Sequence, residues 1–181
     1  MDLTSSTYTN WEPTLGYTLV QTGATFDPTN GTAMTGSNFL KAQGGTSYSP
    51  ANTISVEVWF FGSLADNTNV IEFFVGGVSK IKVYWATNNN DMIVNTTTSS
   101  TTLTNVMNNF NNDPTHWNYL GVSVGSDGSG GNDLMICGYG KWENSGNNSL
   151  CVYDKSYGGS DLGSPLTINI GLGITGFIQS V

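Results

Sequence analysis

The chain contains few charged residues and very few cations. Asp, Glu, Lys and Arg make up 10% of its 181 residues, against about 25% in an average soluble domain. Only five residues are Lys or Arg, and the formal net charge is −8. Binding to nucleic acid or to an anionic membrane surface needs clustered cations, which are missing here. The composition therefore argues against both partners and is compatible with a bound cation such as calcium.

Long apolar segments and helical patterns are also missing. No apolar run reaches the roughly 20 residues that a membrane helix needs, and the start MDLTSSTYTN lacks the basic and apolar regions of a signal peptide. Apart from one predicted helical turn in NVMNNF, no helical period of useful length occurs. Polarity comes from Asn, Thr, Ser and Gly, which is common outside cells. We therefore expect an extracellular or cell-surface protein without membrane insertion.

Short strand-like runs separated by Gly, Asn, Asp or Pro recur along the chain. The predicted strands are Tyr17–Thr22, Asn38–Ala42, Thr53–Phe61, Asn69–Val75, Ser79–Trp85, Asp91–Asn95, Trp117–Val124, Leu134–Tyr139, Leu150–Tyr153, Leu166–Ile170 and Thr175–Val181. This spacing predicts an antiparallel β-sandwich or barrel. The length predicts a single domain over residues 1–181, in which residues 1–35 form an N-terminal arm or edge strand.

Alternating apolar residues in several of these runs indicate two packed sheets. The rows expected to meet in the core are Ile54, Val56, Val58 and Phe60; Ile71, Phe73 and Val75; Ile81, Val83 and Trp85; and Leu120, Val122 and Val124. Fully burying one such side chain contributes about 1.5–3 kcal/mol. A core of this kind can therefore form without a metal.

The two cysteines flank a turn-rich stretch. Cys137 lies in DLMICGYGKW and Cys151 in SLCVYDK, with ENSGNNS between them. This pattern predicts a hairpin that places the cysteines opposite each other, at a Cα separation that a disulfide tolerates. We prefer a disulfide to the alternative of two buried thiols. One His and two Cys leave a zinc site short of ligands.

Three Asn-x-Ser/Thr sequons, at Asn30, Asn95 and Asn147, fall in predicted turns or strand ends where a glycan could project. A chain this rich in Asn, Ser and Thr also forms such triplets by chance. Glycosylation is therefore expected only if the chain passes through a eukaryotic secretory route.

Four segments, taken in order, resemble one family of β-sandwiches. ISVEVWFFGS resembles the early strand of laminin-G-like, concanavalin A-type jelly rolls, and THWNYLGVSV resembles a later strand that opens with Trp. DLMICGYGKW resembles the next strand, and PLTINIGLG followed by TGFIQSV resembles the closing pattern, although Gln179 stands where an acidic residue is usual. The resemblance covers roughly residues 35–181. It implies an all-β, two-sheet antiparallel jelly-roll β-sandwich of the concanavalin A-like lectin and glucanase superfamily.

The strand ISVEVWFFGS carries large side chains on both of its faces. Its second face combines Glu57 with Trp59 and Phe61, whereas an open face should be polar. The resemblance implies that loops, a partner or a ligand cover this face. A buried carboxylate needs a partner, and Lys80 and Lys82 are expected to pair with Glu57.

The sequence offers little for catalysis. Sugar-cleaving enzymes of this sandwich type need two carboxyl groups across a cleft, and Glu57 with Glu72 is the best candidate pair. No clustered pattern of acidic residues supports the pair. A triad of His116 with Asp113 is disfavoured, because two residues so close in sequence seldom orient as base and orienter. We therefore expect no enzyme activity.

The glycine-rich stretch GSDGSGGND offers Asp127, Asn132 and Asp133 as oxygen ligands for calcium. Their spacing fits neither an EF-hand nor the nonapeptide pattern, so a plain hairpin loop is preferred. Calcium remains the one cofactor that the sequence suggests.

Two non-catalytic functions stay open, and a glycoside hydrolase is the third hypothesis. The first interpretation is a non-catalytic extracellular structural or adhesive module that self-assembles through β-strand and loop contacts, with copies of itself or a related surface protein as partners. The second is a carbohydrate-binding module with exposed aromatics that stack on sugar rings. The candidate stacking residues are Trp11, Tyr139, Trp142, Tyr153 and Tyr157. Tyr and Asn are equally expected in turns and protein interfaces.

Overall fold

The computed structural model describes residues 18–27, 29–43, 53–86, 91–96, 100–103, 117–126, 132–142, 146–157, 162–163 and 165–181. These residues form fourteen β-strands. The strands are β1 (Thr18–Thr22), β2 (Thr25–Asp27), β3 (Gly31–Thr35), β4 (Phe39–Gln43), β5 (Ile54–Leu64), β6 (Asn69–Val75), β7 (Val78–Ala86), β8 (Asp91–Thr96), β9 (Ser100–Leu103), β10 (Trp117–Ser126), β11 (Asn132–Trp142), β12 (Gly146–Tyr157), β13 (Leu166–Ile170) and β14 (Ile174–Ser180). Within these described residues, no helix has the length and apolar character needed to cross a membrane.

The strands build two antiparallel sheets of seven strands each. Sheet I has the order β12-β11-β10-β5-β14-β3-β2, and sheet II has the order β1-β4-β13-β6-β7-β8-β9. Many neighbours are distant in sequence, because the chain repeatedly crosses from one sheet to the other. The all-β, two-sheet architecture predicted from the strand spacing is confirmed.

A single apolar core lies between the two sheets. Both sheets contribute their inward rows to one cluster of buried side chains. The largest fully buried members are Phe60, Phe73, Leu40, Ile71, Leu120, Ile136 and Leu162. All four predicted rows lie in this core, with Ile54 and Val75 half-buried against it. The alternation of the sequence therefore identified the inward face of each of these strands correctly.

Every predicted strand is present, and three further strands are present as well. The additional strands β2, β3 and β9 lack an alternating apolar row. In β3, Thr32 takes a fully buried position, and its Oγ1 accepts a hydrogen bond from Gln21 Nε2 at 3.1 Å. A hydrophobic period cannot reveal a strand whose inward position is held by a hydrogen-bonded hydroxyl. The helical turn predicted in NVMNNF lies outside the described residues.

The first three strands of the chain are divided between the two sheets. β1 is an edge strand of sheet II, β2 is an edge strand of sheet I, and β3 lies inside sheet I between β2 and β14. Strands β1, β2 and β3 therefore contribute to the sandwich, while residues 1–17 lie outside the described part. The closing strand β14 is also internal, since it pairs with both β3 and β5.

Two facing glycines bring β5 and β14 unusually close together. Gly62 and Gly176 are directly opposite in register, with φ of 136° and 144°. A Cβ on either one would overlap the backbone of the other strand, at Thr175 or at Phe61. Only glycine fits this backbone conformation and this approach. The pair fixes the position of β14 beside Phe61, at one end of the surface described next.

The hairpin around the cysteines is longer than predicted. β11 extends to Trp142 and β12 begins at Gly146, so only residues 143–145 separate the two strands. Cys137 and Cys151 are directly opposite in this register, as the sequence predicts. The backbone therefore supplies the placement that a disulfide requires.

Candidate functional site

The outer side of sheet I carries a continuous set of aromatic side chains, which we call the aromatic face. It consists of Trp59, Phe61, Trp117, Tyr119 and Phe177. Trp59 is 36% exposed and Trp117 is 37% exposed, which is unusual for the largest apolar side chain. Within the part of the chain that the structure describes, both tryptophans are therefore available for contact.

Strand register brings these residues together. Phe61 lies opposite Trp117 on one side and Phe177 on the other, and Trp59 lies opposite Tyr119. The Phe61 and Trp117 rings are 5.7 Å apart and tilted by 58°, and the Trp59 and Tyr119 rings are 5.1 Å apart and tilted by 50°. Tilted pairs at this distance are favourable aromatic contacts. The face is therefore held in place by its own packing.

Hydrogen-bonding groups adjoin the aromatic face along β5 and β10. Glu57 is exposed and lies opposite Gly121, next to the Trp59–Tyr119 pair. One step further, the Ser55 and Ser123 hydroxyls are 2.6 Å apart. The surface thus changes from aromatic to polar over a few residues.

Tyr119 links the two parts of this surface. Its hydroxyl donates a hydrogen bond to the Glu57 carboxylate. Burial raises the pKa of Tyr119, and the negative charge and hydrogen bond of Glu57 raise that pKa further. A tyrosinate here would lose hydration and face a carboxylate, so the neutral phenol is favoured.

Gly121 makes room for this hydrogen bond. A Cβ at position 121 would lie 2.5 Å from the Tyr119 hydroxyl oxygen and 3.0 Å from its Cζ. The Tyr119 ring therefore leans across the glycine towards Glu57. Gly121 was not among the sequence-derived candidates, although a glycine within the alternating row WNYLGVSV is the signal that could have identified it.

Two expectations about Glu57 are wrong. Lys80 and Lys82 lie on β7 of sheet II, so they are on the other side of the sandwich and cannot pair with it. The carboxylate is also exposed rather than buried. It therefore needs no cation, and the hydroxyl of Tyr119 suffices as its partner.

The structure does not bring Glu57 and Glu72 together. Glu57 points outward from sheet I, whereas Glu72 alternates with the buried Ile71 and Phe73 of sheet II and points outward on the opposite side. Glu72 accepts hydrogen bonds from Ser79 Oγ at 2.6 Å and Asn69 Nδ2 at 3.1 Å. The core between the two sheets separates the carboxyl groups, so they do not form the pair that a glycosidase needs. His116 and Asp113 lie outside the described residues.

The proposed stacking residues lie on strands rather than in turns. Tyr139 and Trp142 are on β11, and Tyr153 and Tyr157 are on β12, because this hairpin extends further than its sequence pattern indicated. Tyr139 is directly opposite Tyr119 in register. The side chains of these four residues, and all of Trp11, are outside the described part.

The calcium candidates are only partly described. Asn132 and Asp133 begin β11, opposite Ser126 and Gly125 of β10, and Asp127 lies outside the described residues. Among the side chains that the structure describes, no group of three or more His, Cys, Asp or Glu residues is arranged to hold a metal ion.

The three sequons occupy different environments. Asn30 lies in the turn before β3, where its backbone N–H donates to Asp27 Oδ1 at 2.9 Å. Asn95 lies within β8, and its Nδ2 donates to the Tyr84 hydroxyl at 3.3 Å. A glycan on that nitrogen would disrupt this bond. Asn147 lies near the start of β12, opposite Lys141.

Comparison with known proteins gives no match: no family model, no curated protein and no solved structure matches this chain.

Proposed function

We propose that this chain is a non-catalytic, extracellular carbohydrate-binding module that binds a neutral glycan on the aromatic face. The observation that carries the proposal is the pair of exposed tryptophans beside an exposed carboxylate and a tyrosine hydroxyl. A sugar ring has apolar C–H faces and a rim of hydroxyls. Aromatic rings can pack against the C–H faces, and Glu57 can accept hydrogen bonds from the hydroxyls.

Charge favours a neutral glycan over a second copy of the chain on this face. A twofold contact between two aromatic faces would bring two Glu57 carboxylates into one interface. No cation is present among the described side chains of the aromatic face, and the whole chain has only five Lys and Arg residues. Burying like charges without a counter-charge is costly. A polyol, in contrast, needs no charge of its own.

The fold that we propose is the concanavalin A-like jelly roll. Three of the four segments that resemble that family form β5, β10 and β11, and the last part of the fourth forms β14. These strands are consecutive neighbours in sheet I, in the order β11-β10-β5-β14. Most of the resemblance therefore falls on one continuous part of sheet I, while PLTINIGLG contains β13 of sheet II. Repeated crossing between sheets is also expected of a jelly roll.

We also propose a disulfide between Cys137 and Cys151. The register places the two residues directly opposite each other, which is the placement that a disulfide requires. Such a bond would suit an oxidising, extracellular environment.

The test is a glycan array, with and without calcium, followed by titration of each positive oligosaccharide. Replacing Trp59 and Trp117 by Ala should weaken binding about tenfold or more, because exposed tryptophans at a binding centre carry much of the free energy. Val78→Ala is a matched control, since Val78 is 57% exposed but lies on sheet II. An array without signal, or equal losses in both variants, would refute the proposal.

Self-assembly is a second candidate, favoured by the length of one edge strand. β12 spans twelve residues at the end of sheet I, and in the described part of the chain only β11 pairs with it. An edge of this length offers backbone N–H and C=O groups to a strand of another copy.

A further inference from the structure

A groove crosses the outer side of sheet II, on the opposite side of the sandwich from the aromatic face. Its floor is formed by Thr167 and Asn169 of β13. Phe39 and Lys41 of β4 border it on one side, and Phe74 of β6 borders it on the other. Its volume is about 250 Å³, just below the range of about 300–1,000 Å³ typical of ligand pockets. This is space for a single small ring.

The register explains why the groove exists. Asn169 lies opposite Lys41, and Thr167 lies opposite Phe74. The outward side chains of β13 are thus shorter than those of both neighbouring strands. The result is a groove with a polar floor and larger, partly apolar walls.

The floor contains a polar group that lacks a partner. Asn169 Oδ1 is out of contact with solvent and accepts no hydrogen bond. Glu72 of β6 lies directly opposite Asn169, and its carboxylate already accepts hydrogen bonds from Ser79 and Asn69. A buried acceptor without a donor costs about 1–3 kcal/mol, so turning Oδ1 into the groove, where a ligand hydroxyl supplied the donor, would be stabilising. Rotation about the last side-chain torsion of Asn169, which is broad in asparagine, would present the amide to the groove.

The charge on this side of the molecule differs from that of the chain as a whole. Among the described side chains of sheet II, three are lysines, at 41, 80 and 82, and one, Glu72, is acidic. Lys41 is at the border of the groove and makes no ion pair within the described part. Among the described residues that line the groove, Lys41 alone is charged, so the lining favours an anionic group at Lys41.

We propose that this groove binds one anionic sugar ring of a polysaccharide. The ring would lie between Phe39 and Phe74, its anion would contact Lys41, and a hydroxyl would donate to Asn169. The proposal does not depend on glycan binding at the aromatic face. Carboxylate and sulfate share the chemistry that Lys41 recognises, and the experiment distinguishes them.

The experiment is calorimetric titration of the intact chain with three probes: an oligogalacturonate, a sulfated galactan oligosaccharide and a neutral galactan oligosaccharide. One or both anionic probes should bind, with the neutral probe about tenfold weaker or more. Lys41→Gln should reduce binding of the anionic probe about tenfold, and added salt should weaken it. Asn169→Asp should also weaken it, because that change places a carboxylate in the floor.

Two control variants make the result decisive. Lys82→Gln lies on the same sheet but outside the groove lining, so it should change the affinity less than twofold. The Trp59 and Trp117 double variant should bind the anionic probe normally, which separates this groove from the aromatic face. Circular dichroism confirms that each variant is folded. No binding of either anionic probe, equal binding of the neutral probe, or equal losses in Lys41→Gln and Lys82→Gln would overturn the proposal.

Discussion

Tyr119 and Glu57 form a single unit at the residue scale, joined by a hydrogen bond across Gly121. The sequence indicated that Glu57 needs a partner but suggested the wrong one. It shows which strand follows which along the chain, whereas the partner of Glu57 depends on which strands are neighbours in space. β10 is adjacent to β5, and β7 is not.

We predict that Tyr119 keeps its proton above its ordinary pKa of 10.0. Because the pKa is raised in the folded state, the stability that this group contributes is present below pH 10.0 and is lost as the pH rises through the raised value. The measurement is tyrosinate absorbance against pH, with the titration of Tyr119→Phe subtracted to isolate Tyr119.

Two variants separate the causes of this shift. Glu57→Gln removes the charge, so the pKa of Tyr119 should fall towards 10.0 yet stay above it, because burial is the largest cause. Gly121→Ala displaces the Tyr119 ring from Glu57 and should therefore also lower the pKa of Tyr119. Glu72→Gln on the opposite sheet is the control and should have no effect. A Tyr119 titration that Glu57→Gln leaves unchanged would contradict this account.

The β11–β12 hairpin is the element whose stability is easiest to test. If Cys137 and Cys151 form a disulfide, it closes a short loop, and its loss should cost about 3 kcal/mol for a loop of this length. Replacing both residues with Ser should lower the midpoint of thermal unfolding by several degrees. A reducing agent should lower the wild-type midpoint similarly and leave the double variant unchanged. Two alkylatable thiols in the native, non-reduced chain would show that the bond is not formed.

The elements that escaped prediction share a physical cause. β2 has three residues, β9 is nearly all Ser and Thr, and β3 buries Thr32 where an apolar residue would normally reveal the pattern. β3 and β9 are defined by backbone pairing with β14 and β8, which the sequence identified, and β2 is defined by its pairing with β3. The hairpin of β11 and β12 was identified, but its length was not, because polar strand ends have the composition of turns.

The whole molecule presents two chemically different outer surfaces. Sheet I has the aromatic face with Glu57, and the described side chains of sheet II include three lysines and one glutamate. Because the core separates the two sheets, a ligand on one surface does not contact the other. The two proposed glycan sites could therefore be occupied together, and each can be removed without the other.

Self-assembly is tested at this scale by sedimentation velocity over a range of protein concentrations. If copies associate through β12, the sedimentation coefficient should rise with concentration. A synthetic peptide of the β12 sequence should compete with this association, and a scrambled peptide should not. The Trp59 and Trp117 double variant should associate normally, since the edge rather than the face makes the contact. Sedimentation as a monomer up to the highest soluble concentration would rule out this candidate.

The sequence by itself determined the all-β class, eleven of the fourteen strands and the inward row of each strand that alternates clearly. These properties follow from the period of two along a strand and from the cost of exposing apolar rows to water. Only the tertiary structure decided which strands are neighbours. Trp117 and Tyr119 reach Phe61 and Trp59, and Asn169 comes to lie beside Lys41, through pairings between residues far apart in sequence. No local pattern encodes such pairings, because they depend on how the whole chain packs its two sheets.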